Sequence, residues 1–393
     1  MLRLLHTADV HLGARHADLG EQAAAQRERQ FAAFRATVDL AIAEQVDVFL
    51  VAGDLFDSNT QPRRSVERVA AELRRLAAAK IRTVIIPGTH DVYDRSSLYR
   101  VHDLAALAGS SPDDDLVTVL TPDHPSVHLA ACDVDVHGAV FATKRAPTSP
   151  FAAIHVNRED PAAATWQVGM IHGALAIPDR TDGDEVVFTR EEIAASGLDY
   201  LALGHWHSYQ QAVSGGTTYA YSGAPEPVAI SQDGAGNVVL VELEATAGGR
   251  TVRATPRTVG KTRFQKLDLD AAAIADQPAL VSQLSALADP DLVLDVRLTG
   301  VRPDELDLDL EEVESQVKGS FLRIRLRDVS KPALTAGVLP SADTIPGAFI
   351  RNVEGRIAEL EAASGADNDE AAAELRDVLR LGRLLLAGHE VTL

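Results

Sequence analysis

Short apolar runs alternate with amphipathic stretches in the first 110 residues. Residues 2–5, 48–52 and 81–86 are apolar, partly β-branched and bounded by polar or glycine residues, which predicts buried strands. Residues 21–45 and the stretch after Pro62 carry apolar side chains at helical spacing: Phe31, Phe34, Val38 and Ile42, then Val66, Val69, Leu73 and Leu76. A strand–helix–strand alternation of this kind predicts a parallel sheet covered by helices.

The apolar pattern changes between residues 116 and 143, where alternating positions follow one another without helical stretches. This predicts that the second part of the sheet system is more antiparallel. Further strands are predicted at 168–171 and 201–203, and a closing hairpin at 238–243 and 251–258.

A second change in the pattern falls near residue 260. Strands are predicted at 264–270, 292–298 and 322–326, with helices at 278–287 and 309–317, and two further helices form a tail at 347–363 and 368–386. We therefore predict three parts: a main domain at 1–258, a small α/β module at 259–335 and a helical tail at 345–393. The leucine-rich end of the tail either packs back on its own module or binds a partner helix.

Side chains with oxygen or imidazole donors follow five of the predicted strands. They are Asp9 and His11; Asp54; Thr89, His90 and Asp91, which follow Pro87-Gly88; His172; and His205 and His207. Sites in open α/β sheets form at the carboxyl ends of strands, so these side chains are expected on one rim. Oxygen and imidazole donors without thiolate suit Mn²⁺, with Fe²⁺ and Zn²⁺ as alternatives. The series predicts a site for two divalent ions that share a carboxylate, beside a histidine left free for proton transfer.

The composition of the chain bears on its cellular compartment and on its binding to nucleic acid. The chain has 393 residues, of which 46% are hydrophobic, one cysteine (Cys132) and a formal net charge of −20. A single cysteine fits a reducing compartment, and neither a secretory signal nor a membrane span is expected, so we predict a cytoplasmic protein. The acidic charge disfavours adhesion to nucleic acid by bulk charge, although a local basic rim remains compatible with it.

Three further residues are candidates for substrate contact. Arg15 follows the first acidic motif, and Arg63 stands at the start of the second predicted helix, where a phosphate could be bound. Solvated surface arginine is the alternative interpretation for Arg63. Tyr221 opens the turn Tyr-Ser-Gly-Ala-Pro, which is placed to close over a substrate.

The ordered motifs resemble the calcineurin-like metallophosphoesterase superfamily. The flanking sequences His-Thr-Ala-Asp-Val-His-Leu-Gly at 6–13 and Asp-Tyr-Leu-Ala-Leu-Gly-His-Trp-His at 199–207 are similar to the SbcD-type DNA double-strand-break repair exonucleases. The resemblance implies an α/β four-layer sandwich, two β-sheets flanked by helices, with a small α/β capping module and a helical C-terminal tail that binds an ATPase.

The resemblance also implies a role for each motif residue. Asp9, His11 and His207 would hold the first ion, Asp54 would bridge both ions, and His172 and His205 would hold the second. His90 would be the unligated catalytic histidine, oriented by Asp91. The family has asparagine as a second-ion ligand where this chain has Thr89. A threonine hydroxyl is a shorter and weaker ligand, so we expect a weaker second site.

The function implied is that of a Mn²⁺-dependent exonuclease or endonuclease subunit acting on DNA. It would work with an SbcC-type coiled-coil ABC ATPase and dimerise through helices near the active-site face. Two alternatives stay open. One is a phosphodiesterase of small or cyclic nucleotides, which the acidic net charge favours. The other is a weakly active scaffold subunit in which Thr89 has impaired the second site.

Overall fold

A computed structural model describes residues 1–16, 22–111, 114–146, 148–154, 156–177, 186–229, 232, 234–246, 249–303, 306–332, 340–363 and 366–386. Residues 387–393 of the predicted tail lie outside this set. The chain divides into two compact units, Met1–Arg263 and Phe264–Leu393. The predicted division into three parts stays a prediction. Among the described helices, none combines the length and apolar character needed to cross a membrane.

The first unit contains two six-stranded sheets and their covering helices. Its strands are Leu2–Thr7 (β1), Val48–Ala52 (β2), Arg82–Ile86 (β3), Val117–Val119 (β4), Ser126–Leu129 (β5), Val134–Ala139 (β6), Trp166–His172 (β7), Ala174–Leu175 (β8), Val187–Phe188 (β9), Tyr200–Gly204 (β10), Gln210–Ser214 (β11), Thr217–Tyr221 (β12), Asn237–Thr246 (β13) and Gly249–Thr258 (β14). Its helices are Ala23–Ala43 (α1), Arg63–Ala78 (α2), Leu98–Val101 (α3), Leu104–Ala108 (α4) and Arg190–Ala195 (α5).

The first sheet has the order β14-β13-β1-β2-β3-β4. Strands β1 to β4 pair in parallel, as the strand–helix alternation predicts, and the β13–β14 hairpin adds to β1 in antiparallel orientation. The carboxyl ends of β1, β2 and β3 therefore meet at one edge. The predicted hairpin is confirmed. Its strands extend beyond the predicted apolar stretch at 238–243, because the pairing continues through polar positions up to Thr246 and Gly249.

The second sheet, ordered β11-β12-β10-β7-β6-β5, corrects one expectation. Its centre is parallel, since β12, β10, β7 and β6 pair in parallel, and antiparallel pairing occurs only at the two ends, β5–β6 and β11–β12. The prediction that the second part of the sheet system is more antiparallel is wrong, because each six-stranded sheet has three parallel and two antiparallel pairings. In their described parts, the crossovers from β6 to β7 and from β7 to β10 contain a short helical turn at Pro150–Ala153 and the six-residue helix α5. Helical segments this short show little apolar periodicity in a sequence.

Alternation along the strands distributes the apolar residues among three layers. On β1, Leu4 packs between the two sheets, whereas Leu5 faces α1 and α2 together with Phe34 and Val69. On the far face of the second sheet a third cluster, which includes Ile193 of α5, packs against β7 and β10. The result is the predicted four-layer arrangement, helices on sheet on sheet on helices.

The second unit has an apolar core of its own, formed by residues between Leu269 and Leu326. Its strands are Arg263–Asp270 (β15), Asp289–Thr299 (β16), Val301–Arg302 (β17), Phe321–Asp328 (β18) and Lys331–Pro332 (β19), and its helices are Gln277–Ser285 (α6), Leu310–Val317 (α7), Ile345–Ala362 (α8) and Ala366–Leu386 (α9). Helices α8 and α9 pack on each other, with Arg383 paired to Glu354 at 2.5 Å. Leu385 and Leu386, at the end of α9, are 54% and 39% exposed.

Candidate metal centre

Backbone hydrogen bonds join the loops that follow β1 and β2. The amide of Asp9 donates to Gly53 O at 3.1 Å, and the amide of His11 donates to Asp54 O at 2.9 Å. The loop after β10 joins them, because the amide of His205 donates to both carboxylate oxygens of Asp9 at 3.0 Å. The predicted strand ends from both sheets therefore converge on one place.

The backbone in this region is strained. Asp9, His11, Asp54 and His205 have φ angles of 53°, 49°, 52° and 101°, which non-glycine residues rarely adopt. Each such conformation costs about 1–3 kcal/mol and persists only where surrounding contacts enforce it. The hydrogen bonds between the loops supply that enforcement, and strain of this kind concentrates at functional sites.

Two motif glycines are required by close approach. A Cβ on Gly88 would lie 2.2 Å from Asp54 Oδ1, and one on Gly204 would lie 2.1 Å from Ala52 O and 2.8 Å from His172 Nδ1. A side chain at either position would displace a candidate ligand. The glycines of the Gly-x-His-Asp and Gly-His-x-His motifs thus make room for the site.

One group of candidate ligands consists of Asp9, His11 and His207, whose donor atoms all lie within 4.8 Å of one another. His207 Nε2 is 3.9 Å from Asp9 Oδ1. His11 Nε2 is 3.6 Å from Asp54 Oδ2, which places Asp54 beside this group. These are the residues expected to hold a first ion.

A second group consists of Asp9, Asp54 and His172, again within 4.8 Å of one another. His172 Nδ1 lies 3.0 Å from Ala52 O, to which it donates, and Nε2 lies 3.1 Å from Asp54 Oδ2. The His205 ring is 5.5 Å from the His172 ring. Thr89 Oγ1 is 3.4 Å from Asp54 Oδ2, so Thr89 borders this group with a hydroxyl.

The donor atoms of this centre fit a divalent metal. Within the described part of the chain, the Nε2 atoms of His11 and His172 are buried and lack a well-formed hydrogen bond, and they lie 3.6 Å and 3.1 Å from the same oxygen, Asp54 Oδ2. Two buried imidazole nitrogens that share one buried carboxylate oxygen are costly unless a further group satisfies them. Imidazole nitrogens and carboxylate oxygens without thiolate are donors that Mn²⁺, Fe²⁺ and Zn²⁺ accept.

The pKa shifts of the buried side chains also support a cation site. Burial alone would lower the pKa of His172, but the Asp54 carboxylate outweighs it and raises that pKa to about 10. Burial likewise opposes protonation of His11, yet its hydrogen bond to the Asp57 carboxylate and the charges of Asp54 and Asp9 raise its pKa. Burial raises the pKa of Asp54, and its histidine neighbours more than reverse this and lower it. The centre holds excess negative charge, which a cation would neutralise.

His90 stands beside the ligands with an exposed side chain. Its ring is 4.6 Å from the His11 ring, and its amide donates to Asp54 Oδ1 at 2.7 Å. His90 Nδ1 is 3.0 Å from the backbone oxygen of Asp57 and 3.6 Å from Asp57 Oδ1. Nδ1 therefore donates to the Asp57 carbonyl, which fixes the ring and leaves Nε2 for proton transfer.

Asp57 is a functional residue that the sequence reasoning missed. Besides its carbonyl bond to His90, its carboxylate lies 3.2 Å from His11 Nδ1. A carboxylate in that position sets the tautomer of a histidine ligand and raises its basicity. The signal was present as the second acidic residue of Gly-Asp-Leu-Phe-Asp, three positions after Asp54.

Asp91 has a different role from the one expected. It is fully buried, and its carboxylate accepts hydrogen bonds from Gly88 N at 2.7 Å, Phe56 N at 3.1 Å and Tyr99 Oη at 2.6 Å. Asp91 thus joins the loops after β2 and β3. The expectation that it orients the His90 ring is corrected, because the Asp57 carbonyl does so.

The three candidate substrate contacts lie in different environments. The Tyr221 side chain is buried, its hydroxyl donates to Gly173 O and accepts from Leu175 N, both at 2.9 Å, and its ring stacks on Trp206. The expectation that it touches substrate is therefore corrected. Arg15 is exposed. Arg63 is also exposed and pairs with Glu67 at 2.8 Å, so a phosphate would compete with that carboxylate.

Comparison with known proteins agrees with the geometry. The sequence profile of the calcineurin-like phosphoesterases matches residues 2–209. The chain therefore belongs to the calcineurin-like phosphoesterase family. Among its relatives, the SbcD component of the nuclease SbcCD of Rhodobacter capsulatus is 31% identical over 333 residues, covering 74% of this chain and 77% of that protein. The resemblance to SbcD-type repair nucleases is confirmed.

Two other relatives align with this chain over a smaller share of their length. The DNA double-strand break repair protein Mre11 of Aeropyrum pernix is 29% identical over 255 residues, covering 63% of this chain and 59% of that protein. The uncharacterized metallophosphoesterase YhaO of Bacillus subtilis is 28% identical over 258 residues, covering 62% and 57%. The matched region thus spans less than two thirds of these two relatives.

Proposed function

We propose that this chain is a two-metal phosphodiesterase acting on DNA, the nuclease subunit of a repair complex. The proposal rests on the environment of Asp54. Its carboxylate lies within 3.6 Å of both His11 Nε2 and His172 Nε2, and it accepts a hydrogen bond from the backbone amide of His90. A carboxylate between two histidine-bearing groups is suited to bridge two ions. Asp9, His11 and His207 would hold the first ion, and His172 and His205, with Thr89 at the margin, the second.

Divalent ions, when bound, would supply Lewis acidity and neutralise charge on the phosphate. The protein's own contribution is proton transfer and positioning. His90, fixed through Nδ1 by the Asp57 carbonyl, would in its doubly protonated imidazolium form give the Nε2 proton to the leaving oxygen and keep the Nδ1–H bond as a neutral imidazole. The Asp57 carboxylate holds His11, and Asp91 holds the loop that carries His90 against the loop that carries Asp54.

The names of the relatives support a choice of substrate and partner. The proteins named as a component of the nuclease SbcCD and as Mre11 point to DNA as substrate and to an SbcC-type ABC ATPase as partner. The exposed leucines at the end of α9 are a surface for such a partner. We further propose Mn²⁺ as the metal, a homodimer as the assembly and the cytoplasm as the location.

The test is Mn²⁺-dependent cleavage of linear double-stranded and single-stranded DNA by the purified chain. His90→Ala should abolish cleavage while Mn²⁺ binding, measured by calorimetry, persists. His124→Ala, at an exposed histidine far along the chain from the motifs, is the matched control and should cleave normally. Hydrolysis of small phosphodiesters without any DNA cleavage would favour a nucleotide phosphodiesterase. Inactivity on every substrate, with and without the ATPase, would favour a scaffold.

A further inference from the structure

Gln232, which lies in the chain after β12, contacts one of the candidate ligands. Its side-chain nitrogen is 2.5 Å from His207 Nδ1. The opposite ring nitrogen, His207 Nε2, faces Asp9 at 3.9 Å and belongs to the first ligand group. Gln232 therefore touches the nitrogen of His207 that points away from the ion position.

The orientation of the Gln232 amide is fixed by the chain. Its oxygen accepts hydrogen bonds from the backbone amides of Val228 at 3.0 Å and Ala229 at 3.1 Å. Two N–H donors can face only the oxygen of a side-chain amide, so the NH₂ group must face His207. His207 Nδ1 then accepts a hydrogen bond and carries no proton.

This arrangement opposes ligation. A neutral histidine whose Nδ1 carries no proton has its proton on Nε2, and a protonated nitrogen cannot bind a metal. Ligation through Nε2 requires the proton to move to Nδ1, which would place two hydrogen-bond donors 2.5 Å apart. Ligating histidines ordinarily donate this second N–H to a carboxylate or carbonyl oxygen.

The chain beside the two amides that hold Gln232 is itself anchored. His16 Nδ1 lies 3.1 Å from Val228 O, and the side chain of Gln26 donates to Pro227 O at 3.0 Å. Pro227 and Val228 are thereby held by Gln26 of α1 and by His16, which precedes that helix. If His207 binds a metal, the Gln232 side chain must therefore rotate so that its oxygen faces His207 Nδ1. It then loses its hydrogen bonds to the backbone amides of Val228 and Ala229.

We propose that Gln232 is a positioning residue that weakens the first ion site, because its amide selects the tautomer of His207 that cannot bind metal. A carboxylate at this position would remove the conflict, since one oxygen can accept Nδ1–H while the other keeps the two backbone amides. The inference rests on the proposed ligand role of His207 and is independent of whether DNA is the substrate.

The experiment measures Mn²⁺ affinity by calorimetry for the full chain, Gln232→Glu and Gln232→Ala. Outer partners of ligating histidines change metal affinity by about 10- to 100-fold, so Gln232→Glu should tighten the first site by a factor in that range. Gln232→Ala removes the opposing donor without adding charge and should also tighten the site, by less. Gln210→Glu, at an exposed position on β11, adds the same charge as a matched control and should leave the affinity near that of the unmodified chain.

A second readout reports the tautomer directly. The ¹⁵N imidazole spectrum of the metal-free chain, assigned with His207→Ala, should show His207 protonated at Nε2, and Gln232→Glu should shift the proton to Nδ1. Weaker binding in both Gln232 variants would show that the glutamine supports the ligand and would overturn the proposal. So would equal tightening by Gln210→Glu, or a His207→Ala variant that binds Mn²⁺ unchanged. The last result would remove His207 as a ligand without bearing on DNA cleavage.

Discussion

Replacing Asp57 by alanine separates its two contacts. The substitution removes the carboxylate that lies 3.2 Å from His11 Nδ1, but it keeps the backbone oxygen that accepts from His90 Nδ1. His11 then loses the partner that fixes its tautomer. Loss of such a partner costs about 10- to 100-fold in metal affinity, which is about 1.4–2.7 kcal/mol of binding free energy. Asp57→Asn should cost less, because its side-chain oxygen can still accept from Nδ1.

Calorimetric titration with Mn²⁺ measures the affinity, and hydrolysis of a nitrophenyl phosphodiester against Mn²⁺ concentration measures the rate. Asp57→Ala should need more Mn²⁺ for half-maximal rate but approach the unmodified rate at saturation, because His90 stays positioned. Asp123→Ala, at an exposed aspartate, serves as control. Unchanged Mn²⁺ affinity would refute the assignment of Asp57 to His11. A rate that stays low at saturation would show that the carboxylate, 3.6 Å from His90 Nδ1, acts on that ring instead.

Three further predictions concern the same loops. Asp91→Ala should lower the free energy of unfolding, measured by urea titration, by about 2–4 kcal/mol, because it leaves the amides of Gly88 and Phe56 and the Tyr99 hydroxyl without their partner. A loss below about 0.5 kcal/mol, which is typical of an ordinary surface substitution, would contradict this prediction. Mn²⁺ binding should release protons, and the affinity for Mn²⁺ should rise as the pH rises from 6.5 towards about 10, because protons compete with the metal for His172 at pH values below its raised pKa. Calorimetry in buffers of different ionisation enthalpy measures the proton release. A Mn²⁺ affinity that does not depend on pH would refute the prediction. Thr89→Asn should strengthen the second site and raise the rate at limiting Mn²⁺, and an unchanged affinity and rate would remove the explanation based on Thr89.

The sequence supported prediction best where chemistry is tied to a strand end. The parallel order of β1 to β4 follows from apolar runs separated by amphipathic helices, and parallel strands necessarily bring their carboxyl ends to one edge. The sequence pattern therefore predicts that Asp9, His11 and Asp54 lie together. The apolar strands and helices of the second unit were likewise visible from periodicity alone.

Features that depend on contacts between distant loops could not be predicted in this way. The parallel centre of the second sheet depends on crossovers without periodic helices. The turn of small residues that Tyr221 opens predicts a substrate contact, yet the Tyr221 ring packs inward on Trp206. Asp57 and Gln232 act through hydrogen bonds to His11, His90 and His207, and no spacing in the chain specifies such a partner.

The measurement that tests the central claim most directly is degradation of linear DNA by the purified chain in Mn²⁺, beside His90→Ala with its Mn²⁺ binding verified. Cleavage by the unmodified chain that disappears in His90→Ala, while the metal is still bound, is the predicted result. It would establish metal-dependent phosphodiester hydrolysis with His90 in proton transfer. Equal cleavage by both proteins, or none by the unmodified chain with its metal bound and an SbcC-type ATPase present, would contradict the proposed function.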